Sequence, residues 1–347
     1  MLAAETKAGA LPVASTLSNR LPTAWKEIVE PIKPFLDQVA NQLAEQVQAF
    51  DPEIVPYARY ALTNQGKQLR PALVALCGSA TGKLNDSLVT VAVIIEMVHL
   101  ATLVHDDIMD AAEIRRRRPT LAAHWGNEVS VLLGDCLFAH ALKLASSFPT
   151  PEICRAVASA TNTVCSGEIL QTHQRRNFAY TRAEYFRVLE MKTGELFALS
   201  CDLGAALAGA SPTGRRATRE FGMALGTAYQ VYDDCLDLFG SEISVGKSLG
   251  SDLDNGKLTL PVLIALERGA PADQMQLREY IQQWEPRHLP RVIEILERSD
   301  APALSREIIE DYLETARRSL KPIPESSSRS ALLGLAAFLG QQTECLG

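Results

Sequence analysis

From Pro22 onward, apolar residues recur every three or four positions almost without interruption. Ile28, Ile32, Phe35, Val39, Leu43 and Val47 set the pattern. Such steps put side chains on one face of an α-helix and fit no strand. The same period runs over about 66–80, 85–109, 119–146, 150–174, 181–209 and 212–240. Shorter runs occupy 257–268, 272–283, 285–298, 302–320 and 328–341. Pro149 and Pro151, Gly209 and Pro212, Gly269 and Pro271, and Pro322 and Pro324 punctuate the joins, with proline near helix starts. Period-two alternation is absent, so the expectation is an all-α chain with almost no sheet. No break is long enough for a linker, and no repeat of fixed length appears. The expected organisation is a mobile leader over 1–20 and one large helical domain over 21–347.

With 47% hydrophobic residues the chain can bury a large core. The net charge of −7 argues against a nucleic-acid partner, so an anionic ligand must be held by local cations or metal ions. Seven scattered cysteines include no CxxC pair and read as free thiols in a reducing, cytoplasmic setting. The N-terminus lacks signal-peptide order. Leu88 to Val104, interrupted by Glu96 and His99, reads as a buried helix rather than a membrane span. Ser200–Ala210 is rich in small residues, suited to close helix packing or to a dimer contact.

Two carboxylate clusters stand out: Asp106-Asp107-Ile-Met-Asp110 and Asp233-Asp234-Cys-Leu-Asp237. In each, the first and last aspartates lie one helical turn apart on one face. Each cluster ends an apolar run, where like charges repel one another and face the negative end of the helix dipole. A solvated acidic helix end explains one cluster. Two identical clusters point to hard cations, and Mg²⁺ takes a few carboxylates plus phosphate oxygens. Cations that suit a phosphate are present as well. Lys67 and Arg70 follow Gly66, Arg115–Arg118 follow the first cluster, Lys192 precedes Thr193, and Lys247 and Lys257 flank a glycine-punctuated loop. His99 lies seven residues before Asp106, on nearly the same face. His105 adjoins Asp106 and is expected to order its carboxylate.

Together these residues resemble the trans-isoprenyl diphosphate synthases, the polyprenyl synthetase family, from about Arg59 to Pro324. The resemblance rests on Gly-Lys67-Gln-Leu-Arg70-Pro, His99 through Asp110, Arg115-Arg116, Lys192-Thr193 and Gln230-Val-Tyr-Asp233-Asp-Cys-Leu-Asp237, in family order. It implies helices around a central cavity, usually a homodimer, with peripheral membrane contact for product release. It implies that Gly66, Lys67, Arg70, His99 and Arg116 hold isopentenyl diphosphate. Arg115, Lys192, Thr193, Gln230, Lys247 and Lys257 would hold the allylic diphosphate. Asp106, Asp110 and Asp233 would ligate two or three magnesium ions, and Asp107, Asp234 and Asp237 complete the catalytic set. The implied reaction ionises the allylic diphosphate, adds the isopentenyl double bond and loses a proton. The chain departs from the family pattern at Arg117, where glycine is usual, at Asn64-Gln65 before Gly66, and in a C-terminus without basic residues.

Product length is expected to be set by side chains behind Asp106. Ala101 and Thr102 are small, and Met97, Ile94, Val93 and Phe138 follow. A long product is expected, with a short-chain synthase as the alternative. A class I terpene cyclase and a non-catalytic partner subunit are rival readings. The second DDxxD cluster argues against the first, and retention of both clusters argues against the second.

Overall fold

Asn85 caps the longest stretch of apolar periodicity: the Leu88 N–H donates to its side chain at 3.2 Å. From there Asp86–Met109 forms one helix, buried on nearly every side between Leu88 and Ala101. The structure, a computed structural model, describes residues 25–63, 66–241 and 249–344. Lys247, Asn64, Gln65, Cys345 and the expected leader 1–20 lie outside the described residues.

In chain order the helices are α1 (Lys33–Gln46), α2 (Val55–Thr63), α3 (Leu69–Thr81), α4 (Asp86–Met109), α5 (Leu121–Trp125), α6 (Asn127–Ser146), α7 (Glu152–His173) and α8 (Arg182–Leu189). A π-turn, Glu190–Gly194, leads into α9 (Glu195–Leu207). Then come α10 (Pro212–Phe239), α11 (Ser251–Asp254), α12 (Leu260–Arg268), α13 (Pro271–Gln282), α14 (Leu289–Arg298), α15 (Ala301–Ser319) and α16 (Ser327–Thr343). Helix α4 packs against α1, α3, α6 and α9, and α10 lies between α9 and α15. Buried apolar residues from Ile32 to Leu339 join one continuous core.

The all-α expectation holds. The differences are local. Helix α2 was not expected; it is short, and Pro52 and Pro56 hide its period. The run expected over 119–146 is broken at Gly126, whose φ of +86° turns the chain between α5 and α6. The one sheet among the described residues is a hairpin, β1 (Ile114–Arg115) against β2 (Arg118–Pro119). Arg116 and Arg117 form its turn with φ of +51° and +62°, the left-handed pair of a tight hairpin.

The small residues of α9 pack within the chain. A Cβ at Gly204 would stand 2.6 Å from the Val74 carbonyl oxygen of α3. On the other side, a Cβ at Gly222 of α10 would stand 2.5 Å from the Phe197 oxygen. Two helices, α4 and α6, are by length and composition long and apolar enough to cross a membrane, and α4, which holds Leu88 to Val104, is the buried helix expected from sequence. For α4 the reason is its place at the centre of the core, with 72% of its apolar window buried. Helix α6 buries only one face and leaves Val131 and Leu132 exposed. All the cysteines among the described residues are unpaired.

Candidate active site

Helix α4 ends at the first cluster, and each aspartate there meets a cation. Asp107 is buried and accepts from Arg115 Nε at 2.5 Å. Burial raises its pKa, and Arg115 opposes that rise. Asp110 accepts from Lys257 Nζ at 2.8 Å on one oxygen and from Arg175 Nη2 at 3.2 Å on the other. Asp106 Oδ2 lies 3.9 Å from Lys192 Nζ. Lys192 is also bound by Gln171 at 3.0 Å and by the Glu168 carboxylate. Burial alone would lower the Lys192 pKa, but Asp106 and Glu168 more than reverse it, so the ammonium stays charged.

The second cluster, near the end of α10, is built differently. Asp233 is exposed, whereas Asp234 and Asp237 are buried. Asp234 accepts from Tyr185 OH at 2.6 Å and from Gln230 Nε2 at 2.8 Å. Burial, then the neighbouring Asp252 carboxylate, pushes its pKa up to about 8 against those two bonds. Asp237 accepts from Ser251 Oγ at 2.6 Å and from the Asp252 N–H at 2.9 Å. The face that Asp237 was expected to share with Asp233 is thus covered by the 250–252 segment.

Two bridges join the clusters. In one, Lys192 beside Asp106 shares the π-turn with Thr193, whose hydroxyl donates to Gln230 Oε1 at 2.8 Å. Gln230 in turn donates to Asp234. A π-turn inserts one residue into the helical ladder and is frequent at functional sites; here it presents consecutive side chains to opposite clusters. In the other, Asp237 holds α11, and the loop after it returns Lys257 to Asp110, with Asp252 3.7 Å from the same ammonium.

Beside the first cluster lies a second cationic pocket. Arg70 stands over the Phe197 ring at 5.0 Å, and its Nε is buried without a hydrogen-bond partner. Glu96, buried one turn before His99, is the counter-charge of Arg70 and Arg116. Burial, then Arg70 and Arg116, drives the His99 pKa well down, so the ring is neutral. Tyr229 adjoins Asp233, Arg70 and Arg116, and burial lifts its pKa to about 12. A Cβ at Gly66 would stand 2.5 Å from the Arg116 guanidinium, so a larger residue there would make the tip of that side chain shift. Lys67 is exposed at the rim.

The four arginines of 115–118 therefore separate. Arg115 goes to Asp107 and Arg116 to the Glu96 pocket, Arg117 is exposed, and Arg118 stacks over Tyr60 at 4.2 Å. His105 does not turn to Asp106; it bonds the Val131 carbonyl at 3.1 Å and packs on Phe138, with ring centroids 5.6 Å apart. Ala101, Met97, Ile94 and Val93 are fully buried. Thr102 is half-buried, its hydroxyl donating to the His99 carbonyl at 2.7 Å. Sequence reasoning missed Glu168, Gln171, Arg175, Tyr185 and Asp252 as members of the site. Only Glu168 and Gln171 carry a signal, their three-residue spacing on the face of α7 that meets Lys192.

Among the described residues no three His, Cys, Asp or Glu side chains converge as a metal cage. Magnesium does not need one, since it draws most ligands from phosphates and water. One oxygen of Asp106, Oδ1, is buried without a hydrogen-bond partner, and Asp233 of the second cluster is exposed. An orphaned buried carboxylate oxygen costs free energy unless a cation meets it. The donor set fits Mg²⁺ carried in with a diphosphate.

Comparison with known proteins agrees with this geometry. Residues 51–297 match the family model described as polyprenyl synthetase. The chain is 34% identical over 307 residues to heptaprenyl diphosphate synthase component 2 of Bacillus subtilis, covering 88% of each. It is 34% identical over 284 residues to the octaprenyl diphosphate synthase of Escherichia coli, covering 82% of this chain and 88% of that one. It also resembles the crystal structure of a polyprenyl synthase from Caulobacter crescentus complexed with calcium and isoprenyl diphosphate. That likeness has a TM-score of 0.86 and 31% identity, over 91% of this chain and 97% of that one.

Proposed function

This chain belongs to the polyprenyl synthetase family and is a prenyltransferase, and from that premise we propose that it adds isopentenyl diphosphate units to an allylic diphosphate to make a long trans-polyprenyl diphosphate. The observation that carries the proposal is the pair of linked carboxylate clusters flanked by a separate cationic pocket, which offers places for two diphosphates. Lys67, Arg70, His99 and Arg116 hold isopentenyl diphosphate, and the neutral His99 donates or accepts a hydrogen bond there without adding charge. Lys192, Lys257 and Arg115 grip the allylic diphosphate, with Lys247 as a further cation. Asp106, Asp110 and Asp233 hold magnesium, which when bound would neutralise charge on the departing diphosphate. Thr193 and Gln230, hydrogen-bonded to each other, border the reacting carbons. No side chain need act as a nucleophile.

The names of the heptaprenyl and octaprenyl relatives support a long product, as do small Ala101 and Thr102 behind Asp106. One domain over 21–347 is supported by the continuous core. A homodimer is supported by exposed apolar residues on neighbouring helices: Val131 and Leu132 on α6 and Ile169 on α7. A cytoplasmic setting is supported by free cysteines.

The test is incubation of the purified chain with Mg²⁺, isopentenyl diphosphate and allylic primers of several lengths, with products sized by mass spectrometry. A ladder ending in a long prenyl chain is expected, and Ala101→Phe should shorten it. A cyclic hydrocarbon would identify a cyclase, no turnover by the chain alone a partner subunit, and a C15 or C20 endpoint a short-chain enzyme.

A further inference from the structure

Both oxygens of Asp110 are taken by cations, Lys257 Nζ at 2.8 Å and Arg175 Nη2 at 3.2 Å. Lys257 is one of the diphosphate-gripping residues assigned above. Arg175, just beyond α7, has no part in that assignment. We infer that Arg175 is a further diphosphate-binding residue, resting on Asp110 until metal and diphosphate arrive together. The inference builds on the reading of this cleft as a metal–diphosphate site.

Arg175 and Lys257 ride on segments tied to each other. Arg176 adopts a left-handed backbone, φ +55°, and its N–H donates to the Gly256 carbonyl at 2.7 Å. This latch sits one residue after Arg175 and one residue before Lys257. It aims two cations at Asp110, and Lys257 shares its charge with Asp252, 3.7 Å away.

The grip of Arg175 on Asp110 is loose. It uses a single nitrogen rather than the two-pronged fork that makes arginine–carboxylate pairs strong. The same nitrogen makes only a long contact with the Met109 carbonyl, at 3.4 Å. Its Nε–H is buried with no hydrogen-bond partner at all. An unspent donor beside a single-pronged ion pair is easily exchanged for a better acceptor, and diphosphate oxygens accept both fork and Nε. A metal ion taking Asp110 must first displace a cation. Arg175 therefore opposes metal binding alone and favours diphosphate binding. Its removal should move the two affinities in opposite directions, which a structural ion pair would not do.

The experiment uses Arg175→Gln in the full chain. Binding of Mn²⁺ alone is followed by electron paramagnetic resonance, and binding of inorganic diphosphate at saturating Mg²⁺ by calorimetry. Mn²⁺ affinity is expected to rise about fivefold and diphosphate affinity to fall about tenfold, in line with one charge-assisted contact. The KM for isopentenyl diphosphate should stay unchanged, and Arg175→Lys should retain part of the diphosphate affinity. Affinities that both fall along with the unfolding midpoint, or that both stay unchanged, overturn the role of Arg175. Wild-type protein that holds neither Mn²⁺ nor diphosphate overturns the reading of the whole cleft instead, and this inference with it.

Discussion

In the first aspartate cluster, half-exposed Asp106 and Asp110 are met by Lys192, Lys257 and Arg175. In the second, buried Asp234 and Asp237 are met by Tyr185, Gln230, Ser251 and a backbone N–H. The partners decide what each carboxylate can do. A cation on a flexible side chain can leave for a phosphate, whereas a tyrosine hydroxyl or a loop N–H stays in place. On the proposed reading, the same five-residue pattern thus supplies exchangeable carboxylates at one site. At the other it supplies one exposed carboxylate, Asp233, on a fixed framework that carries Gln230, Asp252 and Lys257.

The largest effect should separate these roles outright. Asp106→Ala should lower turnover by about a thousandfold, the scale of several kcal/mol of lost charge stabilisation. Its unfolding midpoint should stay unchanged or rise, because like-charge crowding is relieved. Asp237→Ala should do the reverse in stability. Losing two hydrogen bonds to a buried carboxylate should cost about 2–4 kcal/mol in denaturant unfolding. It should also free the Lys257 loop, raising the KM for the allylic diphosphate. A smaller effect should come from the hairpin that sets Arg115 on Asp107. Arg117→Gly should raise stability by about 1 kcal/mol, since the left-handed backbone there suits glycine. An unchanged midpoint would mean that the turn carries no strain.

The smallest effect is a pH dependence in the neighbouring pocket. His99 is held neutral, its pKa well below that of the unfolded chain. Below about pH 6.5 the unfolded state therefore binds more protons, and stability should fall as pH falls through that range. His99→Gln should flatten this acid limb in thermal melts between pH 5 and 7. An equally steep limb in the variant would place the titration elsewhere.

Much of this was legible in the sequence, because a three-to-four period is a local signal and most helices follow it. What was not legible depended on residues far apart or on backbone signs. Positive φ at Arg116 and Arg117 cannot be read from a run of arginines, which resembles a solvated face. Helix α2 is too short to show a period. At the site, residue types and spacing marked both clusters but not their difference, since Tyr185 reaches Asp234 across 49 positions of sequence and Lys257 reaches Asp110 across 147. Glu96 looked like an interruption in an apolar run, yet it is the counter-charge of Arg70 and Arg116. Arg175 gave no signal until folding set it on Asp110.

The most direct test measures diphosphate release and the unfolding midpoint side by side in Asp106→Asn, Asp233→Asn, Asp234→Asn and Asp237→Asn. The first two should lose release by orders of magnitude and keep their midpoint, while the last two should lose midpoint first and release in proportion. Four variants that lose activity alike at unchanged midpoints would contradict the division between exchangeable ligands and framework.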